Sequence, residues 1–121
     1  MSSYLDLDIY KEAFDLSIKV HRYSLKLPKF ELYEQGSQVR RSSKSIKDQI
    51  SEGYGRRRYK ADFIKFLVYA QASNDECQNQ ISTLMVLFPE MKEWENFLKK
   101  YNTLGMKINK FIQYVENNWK S

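Results

Sequence analysis

Residues 52–60 read EGYGRRRYK: two glycines around a tyrosine, three consecutive arginines, then a second tyrosine and a lysine. A phosphate-cradling loop would need G-x-x-x-x-G-K-[ST], and a dinucleotide turn needs G-x-G-x-x-G between a strand and a helix. This stretch supplies neither. It offers positive charge interleaved with aromatic rings, at Tyr54, Arg56, Arg57, Arg58, Tyr59 and Lys60, with Tyr33 further upstream. That mixture suits a single nucleic-acid strand, whose phosphates meet arginines and whose bases stack on rings. Tyrosines also have a plain structural use, sealing the ends of a helical bundle with their hydroxyls in water. The glycines read as punctuation, with Gly53 or Gly55 taking the left-handed conformation that ends a helix.

Other chemistry finds little support. His21 is the only histidine and Cys77 the only cysteine, so the two cannot by themselves complete a zinc site or an oriented Cys–His nucleophile pair. His21 reads as a helix-surface or interface residue, and Cys77 continues an apolar stripe and reads as core. The Glu-x-x-His motif that holds paired metals in helical bundles is absent from the sequence. Glu52 and Glu76 lie among core-adjacent polar residues, where they read as acceptors for Arg41, Ser45 or Ser73 rather than as catalysts. The expectation is a non-enzyme with no catalytic residue, no metal and no cofactor.

The elements that must carry these residues are helical. The chain has 121 residues, 42% hydrophobic and 29% charged, with only 4 glycines and 2 prolines, which favours one domain built from a few long elements. Ile9, Ala13, Leu16, Val20, Tyr23 and Leu27 recur at three- and four-residue steps before Pro28, which predicts a helix over about 8–27. A second helix is expected over about 32–54, a third over about 59–88 closed by Pro89, and a fourth over about 92–118. In the fourth, Gly105 costs about 1 kcal/mol relative to alanine. Connections this short make an antiparallel up-and-down four-helix bundle, all-α and single-domain over 1–121, the natural architecture. No apolar run spans a bilayer, the opening MSSYLDLDIYKEAFDL lacks the pattern of a cleaved signal, and one cysteine permits no internal disulfide. A cytoplasmic protein with no membrane contact is expected.

The second helix is the unusual one. Leu32, Val39, Ile46 and Ile50 form only a narrow apolar line. Gln38, Ser45, Gln49 and Arg56 lie along one flank, and Arg40, Lys44 and Lys47 along the other. From Gln38 to Lys60 there are eight basic side chains against two acidic ones, while the remainder holds 12 basic and 13 acidic. The excess charge of +5 therefore sits on this segment and points to a polyanionic partner. Arg40, Lys44, Lys47, Arg56, Arg57, Arg58 and Lys60 are the expected phosphate contacts. The polar flank calls for partners, because a buried unpaired polar group costs roughly 1–3 kcal/mol. The third helix interrupts its own stripe at Ser73, Asn74, Glu76 and Gln80. A hydrogen-bonded network of Gln38, Arg41, Ser45, Gln49, Glu52, Ser73 and Glu76 is expected between the two helices.

Three stretches carry a family resemblance. QVRRSSKSIKDQISEGYGR, from Gln38 to Arg56, resembles Q-x-R-R-A-x-x-S-I-x-x-N-I-A-E-G. LPKFELYEQGSQ before it is similar to F-P-x-x-E-x-Y-x-L-x-x-Q, and FIKFLVYAQASNDECQNQI after it to F-x-x-F-L-x-x-A-x-G-S-x-x-E. These patterns belong to the small four-helix proteins encoded in intervening sequences of bacterial 23S rRNA genes, whose fold is shared by accessory proteins of diversity-generating retroelements. Gln38, Arg40, Arg41, Ser45, Ile46, Ile50, Glu52 and Gly53 match the second-helix signature. Phe63, Phe66, Leu67, Ala70, Ser73 and Glu76 match the third. The chain departs from the family at Leu27, Ser42, Gln49, Ser51 and Ala72, none of which removes the basic segment. The resemblance implies a homopentamer with a basic surface that binds RNA or DNA, with a protein partner such as a reverse transcriptase in the retroelement branch. A protein–protein adaptor, or a structural bundle with a solvated basic face, remains an alternative.

Overall fold

The apolar residues at three- and four-residue steps fold into four long helices in the computed structural model, which describes residues 3–120. Residues 1, 2 and 121 of the expected 1–121 domain lie outside the described residues. A 3-10 turn, Tyr4–Asp6, precedes α1 (Asp8–Ser24), the single-turn α2 (Lys29–Leu32), α3 (Gln35–Gly55), α4 (Lys60–Leu87) and α5 (Glu93–Asn118). Consecutive long helices pack side by side, α1 on α3, α3 on α4 and α4 on α5, and α5 returns to α1. Ser24 of α1 meets Arg40 of α3, and Lys60 of α4 meets Glu116 of α5, so neighbours run antiparallel. The fold is an antiparallel up-and-down four-helix bundle. Among the described residues no helix is long and apolar enough to cross a membrane.

The core is one column of fully covered side chains: Val20 from α1, Val39, Ile46 and Ile50 from α3, Phe63, Leu67, Ile81 and Leu84 from α4, Trp94, Tyr101 and Ile108 from α5. Each large apolar side chain buried in this way contributes about 1.5–3 kcal/mol relative to exposure. Aromatic rings close both ends. Tyr23 packs against Trp94 and Phe97 at one end, and Phe63 against Tyr54, Phe111 and Trp119 at the other. Cys77 is buried and unpaired within the column.

Helix boundaries depart from the sequence expectation where an apolar residue is buried by something other than a helix. Leu27 fits the period of α1 and is buried, yet α1 stops at Ser24 and Leu27 sits in the following turn, its N–H bonded to the Ser24 carbonyl at 3.1 Å. Pro28 then starts α2, and Glu34, at φ −103° and ψ −101°, breaks the chain before α3 begins at Gln35 rather than near Leu32. Neither Gly53 nor Gly55 is a left-handed cap: no described glycine has positive φ, and α3 includes both, with Arg56 as its cap. Gly53 has another use. A Cβ there would stand 3.1 Å from Phe66 Cβ and 3.3 Å from the Phe63 carbonyl, so the missing side chain lets α3 and α4 close together.

Candidate nucleic-acid interface

One flank of α3 lies along α1, and there the expected phosphate contacts do different work. Arg40 is drawn inward: its guanidinium donates to Ser24 Oγ at 2.9 Å and to the Leu32 carbonyl at 2.7 Å, clamping the α1–α3 connection. Arg40 is therefore a structural residue and not an open phosphate contact. Lys47 is mostly covered, with Nζ 2.7 Å from Asp48 Oδ1 and 5.9 Å from the centre of the Phe14 ring. Lys44 reaches no carboxylate among the described residues. Its Nζ lies 2.8 Å from His21 Nδ1; since an ammonium only donates, Nδ1 must accept and the ring proton belongs on Nε2. Burial, then Lys44, Arg40 and Arg22 in turn, hold the His21 pKa below its ordinary value. These cations converge on one half-buried imidazole, a local positive potential.

The arginine triad divides into three separate roles. Arg56 is shared between Glu52, at 3.6 Å, and Asp62, at 3.7 Å, and its guanidinium lies 4.8 Å from the Phe66 ring centre. Arg57 folds back: it donates to the Tyr54 carbonyl at 2.9 Å and packs 4.1 Å from the Tyr54 ring. Arg58 is exposed and makes no ion pair or hydrogen bond among the described residues, leaning only on Tyr59, 5.8 Å away. Lys60 donates to the Glu116 carbonyl at 2.6 Å. Of the seven expected contacts, Arg58 alone is both exposed and unengaged, and Lys44 is half-buried without a counter-charge.

The polar layer between α3 and α4 exists with partly different members. Ser45 and Ser73 pair at 2.9 Å, as expected. Glu76 accepts from Gln80 Nε2 at 3.2 Å, and Gln80 Oε1 accepts from the buried Ser42 hydroxyl at 2.6 Å. Arg41 and Gln38 stand in water with no partner among the described residues, Gln49 makes no hydrogen bond there, and Glu52 serves Arg56 on the surface. Those four make no hydrogen bond to α4 among the described residues: Gln38, Arg41 and Glu52 are exposed, and Gln49 is half-buried without a partner there. In the sequence Ser42 stands out only as a departure from the family pattern. Its i+4 step to the core position Ile46 was the signal that it points inward. Deeper still, Asn74 Oδ1 accepts from Gln78 Nε2, which also reaches toward the Tyr101 carbonyl at 3.5 Å.

Arg41, read as part of that layer, thus joins Arg58 as an exposed cation free of carboxylates among the described residues. Among the described residues no group of three or more His, Cys, Asp or Glu gathers closely enough to hold a metal. Burial pushes the Cys77 thiol up to about 12, against the smaller opposing effects of Ser42 and Tyr101, so it carries no thiolate at neutral pH.

No curated protein matches the chain. A family profile does, across residues 5–110, a span that takes in α1, the clamp at Arg40, the arginine turn and most of α5, and the chain belongs to the family of 23S rRNA-intervening sequence proteins.

Proposed function

We propose that the chain is a non-enzymatic nucleic-acid-binding protein that assembles as a homo-oligomer, a pentamer by its family resemblance. In this reading it works in the cytoplasm and holds RNA or DNA phosphates on the basic surface of α3 and the α3–α4 turn. The observation that carries the reading is charge uncompensated among the described residues: Lys44 stands 2.8 Å from the His21 imidazole, where Arg40 and Arg22 add to the positive field, and Arg41 and Arg58 face water without a carboxylate there. Like charges held together in this way repel, and a polyanion relieves the repulsion. The family name, which ties the gene to rRNA, adds support for RNA. Binding of this kind is mostly to phosphates and only weakly selective for sequence.

The test is affinity for short RNA and DNA over a salt series, with the native protein beside the double reversal Arg41→Glu, Arg58→Glu. Neither side chain holds the fold together, so the variant keeps its helicity. Native affinity falls steeply with salt, and the reversal lowers both affinity and slope, by about 1.4 per protomer for two lost single-strand contacts. Absence of binding at low salt, or a reversal without effect, sinks the reading. A second reading, an adaptor for an acidic protein or a polymerase such as a reverse transcriptase, draws on Phe30, Tyr33, Val86 and Leu87, exposed at the opposite end. Such docking would respond little to salt.

A further inference from the structure

The turn between α3 and α4 is tied down almost everywhere. Tyr59 N–H donates to the Arg56 carbonyl at 2.9 Å, and the Tyr59 carbonyl accepts from Phe63 N–H at 3.0 Å. The Arg57 carbonyl accepts the Trp119 indole N–H at 2.9 Å, which fastens the turn to the end of α5. Lys60 fastens it again through Glu116, and Arg56 is shared by Glu52 and Asp62. Two side chains take no part. Arg58 is exposed and unpaired among the described residues, and Tyr59 leaves 61% of its surface in water, where it adds little to the core.

An exposed ring on an anchored backbone loses little further freedom on binding, so contact with it is efficient. A guanidinium beside that ring reproduces the two halves of a nucleotide contact, a flat apolar face next to a phosphate-seeking charge. We infer that Arg58 and Tyr59 form a subsite for single-stranded nucleic acid, with one unpaired base stacked on Tyr59 and the adjoining phosphate at Arg58. The inference rests on the nucleic-acid reading above and narrows it. Bases inside a duplex already stack on one another; only a strand, loop or end offers a free face to a protruding ring. Every base has such a face, so the subsite is indifferent to sequence, and it uses no 2′-hydroxyl.

The experiment is fluorescence anisotropy with labelled oligouridine, oligothymidine and a blunt duplex, at one low salt concentration, with oligomer mass recorded alongside. Tyr59→Ala weakens binding of both single strands roughly 5- to 100-fold and of duplex by less than about twofold. Tyr59→Phe, which keeps the ring, stays within about twofold of the native protein on all three. Arg58→Glu weakens strands and duplex together, as loss of a phosphate contact should. The inference is overturned if Tyr59→Ala affects strands and duplex equally or not at all, affects only one of the two strands, or changes the oligomer mass. Native protein that binds none of the three fails the broader reading instead, so the two failures are separable.

Discussion

His21 shows how much a single residue can report. Its ring sits between α1 and α3, bonded to Lys44, with burial as the main influence on its proton and Lys44, Arg40 and Arg22 adding to it. All four favour the neutral ring, so the folded protein takes up a proton at a lower pH than the unfolded chain, which titrates near about 6.5. Stability from this group is therefore complete above about pH 6.5 and falls as pH drops from there toward the folded pKa. Melting temperatures between pH 8 and pH 5 should show the native protein losing ground to His21→Gln, which cannot titrate. A constant gap across that window would refute the assignment. Cys77 makes a complementary case: buried, with its thiol pushed up to about 12, it should resist alkylation at pH 8 in native protein and react fully after denaturation in urea. At this scale the sequence was a partial guide. It marked Cys77 as core and His21 as a surface or interface residue, but three adjacent arginines look alike in print. Only the fold separates Arg57, stacked on Tyr54, from Arg58, which meets water.

Between helices, glycines decide how closely backbones approach, and the described glycines divide by what a methyl group would meet. At Gly53 it would press on Phe66 Cβ and on the Phe63 carbonyl, atoms of the facing helix that cannot swing aside. Gly53→Ala should therefore cost about 1–3 kcal/mol, as overpacking does. Gly55 has nothing within 4 Å, and at Gly105 the nearest atom, Asn74 Oδ1, stands at an ordinary 3.4 Å. Both are helical with negative φ, so alanine should stabilise at both, by about 0.5–1 kcal/mol at Gly105 inside α5 and by less at Gly55, the last residue of α3. Urea denaturation of the three variants checks the order, and a stabilised Gly53→Ala would contradict the close packing of α3 on α4. The elements themselves were legible because apolar residues at three- and four-residue steps have few other uses. The errors at Leu27, Gly53 and Gly55 share a cause: periodicity registers that a position is buried or that a side chain is missing, not whether a turn, a neighbouring helix or a cap requires it. The polar layer was legible as a place, since α3 and α4 both interrupt their stripes, yet its membership turned on angles too small for sequence to resolve. Ser42 and Gln80 lie inside while Gln38 and Arg41 remain in water.

Over the whole bundle, the two ends differ in character. One presents Arg58 and Tyr59 beside Trp119; the other presents Phe30, Tyr33, Val86 and Leu87, with Val86 80% exposed. A helix of 28 residues such as α4 is about 42 Å long. At physiological salt a charge is screened within about 8 Å, so neither end feels the field of the other. If the arginine turn and α3 hold nucleic acid within each protomer, altering the far end should leave that binding alone. Phe30→Ser combined with Val86→Ser should keep single-strand affinity and its salt slope within about twofold of native. Stability should move by no more than about 0.5 kcal/mol per site, since neither side chain is buried. The measurement pairs a salt titration with sedimentation. Should affinity and oligomer mass fall together, the strand must be held by several protomers at once, because linked sites bind far more tightly than isolated ones. The apolar end would then be the contact that assembles them, and the phosphate surface would belong to the oligomer rather than to the single bundle.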